Sequence, residues 1–162
     1  MKSPIDEFKS NFENNINEIK KLDSNEIKAR FSGNQYIIIK VQIKQNNDEP
    51  YFIINDGNID YDINWVPIKF FELNEDNTDM YINNKIMKFK RYLTEEKECL
   101  KEVKYVFDHK LKRLSWMFFA CHYVKSVKFV NVDTSLVTDM KWMFAASGIE
   151  EVDLSFKYKE CN

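Results

Sequence analysis

The sequence predicts an α+β protein, and three patterns of apolar residues carry that prediction. Residues 1–26 show the spacing of an amphipathic helix, and the middle of the chain shows the alternation of β-strands. A Trp-Met-Phe triplet begins at Trp116 and returns at Trp142, which indicates a repeat. We therefore expect an amphipathic helix and linker over 1–26, a β-rich capping domain over 27–110 and a short solenoid segment over 111–162.

The first region begins with the signals of a helix N-terminus. Ser3 can cap the helix, and Pro4 suits the first helical position. Apolar residues then recur every three or four positions and form a stripe, which comprises Ile5, Phe8, Phe12, Ile16 and Ile19. The stripe must pack on another surface, which is either the chain's own domain or a partner helix.

The middle region predicts strands and tight turns. "YIIIKVQIK" at 36–44 alternates in polarity, and "VKYVF" at 103–107 does so again. Between them, Asn83 and Asn84 separate two short apolar runs. Asparagine tolerates the positive φ that a type I′ hairpin turn requires, so we expect a β-hairpin here.

The repeat predicts two coils that pack on each other. With an offset of 26 the apolar positions of the two copies coincide, and a one-residue deletion in the second copy then aligns the strands that follow. In this register Lys125 faces Glu150 and Lys128 faces Asp153, so opposite charges would meet across the coils. The residues expected to form the repeat core are Trp116, Met117, Phe118, Cys121, Val124, Val127, Trp142, Met143, Phe144, Ile149, Val152 and Leu154.

These copies resemble the BspA-like leucine-rich repeats, in which M-F-x-x-C precedes an apolar strand and T-x-M. The segments that carry the resemblance are "MFFACHYVKSVKF", "VDTSLVTDM" and "MFAASGIEEVDLSF". The resemblance implies about one and a half such repeats in 111–162, a role in protein–protein interaction and exposure on a cell surface. The second copy departs from the pattern, because Ser147 stands where the first has Cys121.

Solenoid coils bury their faces on neighbouring coils, so two coils need further cover. We expect the β-rich region to cap the first coil. The last coil is then exposed, covered by the C-terminal tail or continued by another molecule.

The residue inventory argues against catalysis. The chain has two histidines and three cysteines, and it contains no C-x-x-C pair, glycine-rich phosphate loop or His/Cys metal quartet. Cys121 and His122 adjoin, but neighbouring side chains usually diverge. We expect no enzymatic activity, no metal and no cofactor.

The terminus and the cysteines predict a compartment. The first residues contain no signal peptide, and no apolar stretch is long enough to span a membrane. An odd cysteine count argues against a disulfide framework. Together these features favour the cytoplasm, whereas the family resemblance favours the cell surface.

Taken together, the patterns favour a non-catalytic protein-interaction or scaffold module, whose partner is an unknown protein or a second copy of the chain. One alternative is nucleic-acid binding through the Lys/Arg-rich segments 85–91 and 109–113. The balance of 24 basic and 26 acidic residues provides no global positive field, which argues against that alternative. Another alternative is a repeat-protein fragment that has no function.

Overall fold

The structure, a computed structural model, describes residues 27–44, 49–55, 70–95 and 97–156. The strands are β1 (Tyr36–Ile43), β2 (Tyr51–Phe52), β3 (Asp79–Ile82), β4 (Lys85–Met87), β5 (Tyr92–Leu93), β6 (Cys99–Val106), β7 (Val124–Val132) and β8 (Glu151–Phe156). Six of them form one sheet in the order β4-β3-β6-β1-β7-β8, and β2 pairs with β5. Neighbours in the large sheet run antiparallel except β7 and β8, which run parallel.

The predicted α+β class is wrong. The described residues form no helix, and about 39% of them lie in strands, with a mixed sheet. The expected helix came from one apolar stripe outside the described ranges, which comprises Ile5, Phe8, Phe12, Ile16 and Ile19. Within those ranges the strands are joined by turns and irregular segments, so this part of the chain is a β protein. It also contains no helix of the length and apolarity that crossing a membrane requires.

Strand β1 lies inside the sheet because its residues alternate in polarity. Ile37, Ile39, Val41 and Ile43 are fully buried on one face. The strand pairs with β6 on one side and with β7 on the other. The strand predicted at 36–44 is therefore confirmed, and β6 overlaps the one predicted at 103–107.

The predicted hairpin is also confirmed. Strands β3 and β4 pair antiparallel, with Ile82 opposite Lys85. Asn83 and Asn84 form the turn between them, with φ of 47° and 66°. Two positive φ values in a two-residue loop are what a type I′ turn requires.

The sheet and the core continue across the expected boundary at 110/111. Strand β7 pairs with β1, and one cluster of buried residues includes both Ile39 and Phe118. Backbone bonds make the same connection, because the N–H groups of Asn55 and Gln42 donate to the carbonyls of Met117 and Tyr123, at 2.9 and 2.8 Å. The β-rich region thus covers the first copy of the repeat.

Arg91 holds three separate carbonyl groups. Its guanidinium donates to the carbonyls of Asn55, Phe70 and Leu73 at 2.5 to 3.1 Å. All three residues are buried. We expect Arg91→Met to lower the free energy of unfolding by about 2 kcal/mol, because buried acceptors would lose charged donors.

Urea unfolding measures this effect. Arg113→Met is the matched control, since Arg113 is exposed and contacts one carboxylate, that of Asp139. A loss no larger than that of the control would contradict the role assigned to Arg91.

Candidate functional site

Two coils with the same backbone conformation lie at one edge of the sheet. The first coil (113–132) is a tight turn segment followed by β7, and the second coil (139–156) is a similar segment followed by β8. Trp116 and Ala120 have φ of 66° and 55°, and Trp142 and Ala146 have φ of 59° and 54°. The sequence repeat is therefore also a repeat of conformation.

Backbone hydrogen bonds join the two turn segments: four run from the first to the second, and the N–H of Gly148 donates back to the carbonyl of Cys121. Alternate N–H groups of the first coil donate to carbonyls of the second at 2.8 to 3.1 Å. The donors are Leu114, Trp116, Phe118 and Ala120, and the acceptors are Asp139, Lys141, Met143 and Ala145. At these alternate positions, the second turn segment thus presents carbonyl acceptors to the first, and the first presents N–H donors to the second.

The side chains of the two coils also stack. The rings of Trp116 and Trp142 lie 5.8 Å apart at 13°, and those of Phe118 and Phe144 lie 5.7 Å apart at 3°. In the parallel strands, Val127 pairs with Val152 and Phe129 pairs with Leu154, as the aligned copies predict. One apolar layer therefore continues from the first coil into the second.

Ion pairs between the coils share one polarity. The basic partners Arg113, Lys125 and Lys128 belong to the first coil, and the acidic partners Asp139, Glu150 and Asp153 belong to the second. The nitrogen–oxygen distances are 3.3, 2.6 and 3.2 Å in that order. The last two pairs confirm the predicted register. The second coil is consequently the acidic side of this interface.

Hydrogen bonds stabilise the ionised form of two of these carboxylates. The Ser155 hydroxyl, followed by the Lys128 ammonium, lowers the pKa of Asp153 below its ordinary value. The Lys141 N–H is the main cause of the lowered pKa of Asp139. Both groups are therefore charged at neutral pH, and both favour the folded state when charged.

The lowered pKa of Asp153 gives a prediction for the stability of the protein at acid pH. Because the pKa of Asp153 is lower in the folded state, its contribution is complete above the ordinary value of 3.8 and disappears as the pH falls through the folded value. We expect Asp153→Asn to reduce stability at neutral pH and to flatten the loss of stability below about pH 4. Urea midpoints measured across this range test it, with Glu98→Gln as the control. If the urea midpoints of Asp153→Asn and wild type fell by the same amount as the pH was lowered, the prediction would be wrong.

The far side of the second coil carries apolar side chains that no described residue covers. Met140 is 44% exposed whereas its counterpart Leu114 is 0% exposed, and Val152 is 44% exposed whereas Val127 is 1% exposed. Trp142 and Leu154 are exposed as well. We name this surface, formed by Met140, Trp142, Val152 and Leu154, the open end.

A row of backbone donors lies beside these side chains. By the repeat of conformation, the N–H groups of Trp142, Phe144 and Ala146 correspond to the N–H groups of the first coil that donate to the second. Among the described residues no acceptor bonds to these three groups. The open end thus combines apolar surface with backbone groups that still require hydrogen bonds.

The residues predicted as repeat core fall into three classes of burial. Met117, Phe118, Cys121, Val124, Val127 and Met143 are buried. Trp116, Phe144 and Ile149 are half-buried. Trp142, Val152 and Leu154 are exposed. The exposed residues belong to the second coil and are surface rather than core, because no described layer lies beyond that coil.

Cys121 and His122 do not form a reactive pair. The thiol of Cys121 is buried and donates to the carbonyl of Phe119 at 3.7 Å, whereas His122 is exposed. No group of three His, Cys, Asp or Glu side chains in the described ranges has the geometry of a metal site.

Several basic residues of segments 85–91 and 109–113 already bind protein acceptors. Arg91 binds carbonyls, Lys110 pairs with Asp133 at 2.8 Å, and Arg113 pairs with Asp139. His109 contacts the carbonyl of Glu72 at 2.9 Å. The exposed lysines of the two segments are Lys85, Lys88, Lys90, Lys110 and Lys112, and Lys110 is the one that pairs with Asp133. These contacts reduce the charge that the segments can offer to a phosphate backbone.

Sequence reasoning missed two features of this site. The Arg113–Asp139 pair lies before the triplet, at an aligned position where one copy has a basic residue and the other an acidic one. The donor row follows from φ values that a bulky residue such as tryptophan rarely adopts. An offset of 26 applied to residues 113 and 139 could have found the first.

No protein-family model, curated protein or solved structure matches the chain.

Proposed function

We propose that this chain is a non-catalytic protein-interaction module that binds a polypeptide at its open end. The observation that carries the proposal is the donor row of Trp142, Phe144 and Ala146 beside exposed apolar side chains. The equivalent surface of the first coil is already occupied by the second coil. A polypeptide that supplies carbonyl groups and apolar side chains would complete the second coil in the same way.

The energetics favour such an addition. Exposed apolar side chains gathered on one surface are typical of interaction sites. Covering one valine contributes about 1.5 kcal/mol, and backbone bonds add to this. The open end presents both kinds of contact at once, and a small molecule would satisfy only part of it.

A pair of labelled peptides tests the proposal. Their sequences are those of 112–132, with Cys121→Ser, and of 138–156, because each contains one coil. Fluorescence anisotropy during titration with the full chain measures binding. We expect at least one peptide to bind, and Val152→Asn to weaken that binding about tenfold, because the lost valine burial is worth about 1.5 kcal/mol.

Leu100→Asn is the matched control. Leu100 is exposed like Val152, but it lies on β6, three strands from β8. This variant should bind as wild type does. Binding of neither peptide, or equal loss in both variants, would refute docking at the open end.

A further inference from the structure

The open end is acidic as well as apolar. Asp139, Glu150 and Asp153 lie on the second coil, and Glu151 is exposed on the same strand as Asp153. In each of the three ion pairs, the first coil supplies the basic side chain and the second coil supplies the carboxylate. A basic layer on the far side would place each of these carboxylates between two cations.

From this charge pattern, which rests on the proposed function, we infer that the partner is a basic polypeptide segment. It adds to the open end as a coil-like layer parallel to β8. Its carbonyl groups accept from Trp142, Phe144 and Ala146, and its lysines or arginines lie opposite Glu150 and Asp153. The interface between the two coils of this chain is the template for each of these contacts.

A second copy of the chain does not fit the open end around a two-fold axis. Such an axis brings a surface against itself. The N–H groups of Trp142, Phe144 and Ala146 would then face N–H groups, and Glu150 and Asp153 would face carboxylates. Both arrangements are unfavourable, because donors would lack acceptors and like charges would meet.

A head-to-tail arrangement of copies fails for a different reason. The layer that accepts from the open end must present free carbonyl groups on its near side. In the first coil, the carbonyls of Met117 and Tyr123 already accept from Asn55 and Gln42, and β7 is paired with β1. The β-rich region therefore blocks the only other coil of a second copy that the structure describes.

The two labelled peptides distinguish the charge preference from docking itself. Peptide 112–132 has four basic residues and no acidic residue, whereas 138–156 has four acidic residues and one lysine. We expect the basic peptide to bind at least tenfold more tightly at low salt, and the difference to shrink at high salt. Equal binding, or tighter binding of the acidic peptide, would overturn the inference while leaving docking at the open end intact. Binding of neither peptide would overturn both.

Charge reversal provides the matched variants. The double variant Glu150→Lys/Asp153→Lys should lose the preference for the basic peptide. Glu75→Lys/Glu98→Lys changes the net charge equally at exposed positions outside the second coil, and it should keep the preference. A preference that falls equally in both variants would mean that net charge, and not the open end, determines it.

Light scattering of the full chain completes the test. We expect no dimer that depends on the open end. A dimer that Val152→Asn dissociates would overturn the inference, because the occupant would then be a second copy.

Discussion

Gly148→Ala is expected to separate the two coils and to lower the free energy of unfolding by about 3 kcal/mol. A methyl group on Gly148 would lie 1.8 Å from the carbonyl oxygen of His122 and 2.7 Å from its carbonyl carbon. Both are backbone atoms, so no side chain can rotate to relieve the clash. The N–H of Gly148 also donates to the carbonyl of Cys121 at 3.1 Å, and the displacement would break this bond.

Thermal unfolding measures the effect, and Gly33→Ala is the matched control. Gly33 has φ of 77°, but a methyl group there would meet no atom within 4 Å. The control therefore reports backbone strain without a clash, about 1 kcal/mol, whereas Gly148→Ala has the clash without a positive φ. For a chain of this length we expect the midpoint of Gly148→Ala to fall by about 6 to 12 °C. A fall equal to that of Gly33→Ala would show that the coils tolerate a wider separation.

Phe118→Ala should cause the largest loss of stability, about 3 to 5 kcal/mol. Phe118 is fully buried, stacks on Phe144 and meets the ring of Phe129 edge to face at 6.4 Å. The substitution leaves a cavity where the first coil, the second coil and the sheet meet. Urea unfolding should therefore show a lower midpoint.

Phe144→Ala is the comparison for this variant. Phe144 occupies the equivalent position in the second coil, but it is only half-buried. We expect its substitution to cost clearly less, because water can enter the space that the ring leaves. Equal losses in the two variants would indicate that the second coil is covered as completely as the first.

Much of the sheet could be predicted because the signals are local. Alternation of Ile37, Ile39 and Val41 specifies a strand with one buried face, and the residue types at Asn83 and Asn84 specify the turn. The register of β7 against β8 also follows from the sequence, because aligned copies place equivalent residues side by side.

The errors arise where local patterns say nothing about neighbours in space. The α+β class depended on one periodic segment, and the described chain is β throughout. Trp142, Val152 and Leu154 have the residue types of a core, but they would be buried only if a further layer packed on the second coil. The described residues contain no such layer. The close approach of Gly148 to His122 is equally invisible, since it joins two coils rather than two sequence neighbours.

The two edge strands of the large sheet, β4 and β8, differ in length. This difference determines how many partners one molecule can bind. The edge at β4 has three residues and begins with a lysine, and such short charged strands discourage pairing. The edge at β8 is twice as long and lies beside the donor row. In the part of the chain that the structure describes, growth by layer addition is therefore possible in one direction only. A complex formed at this edge should saturate at one partner per molecule instead of extending into a filament.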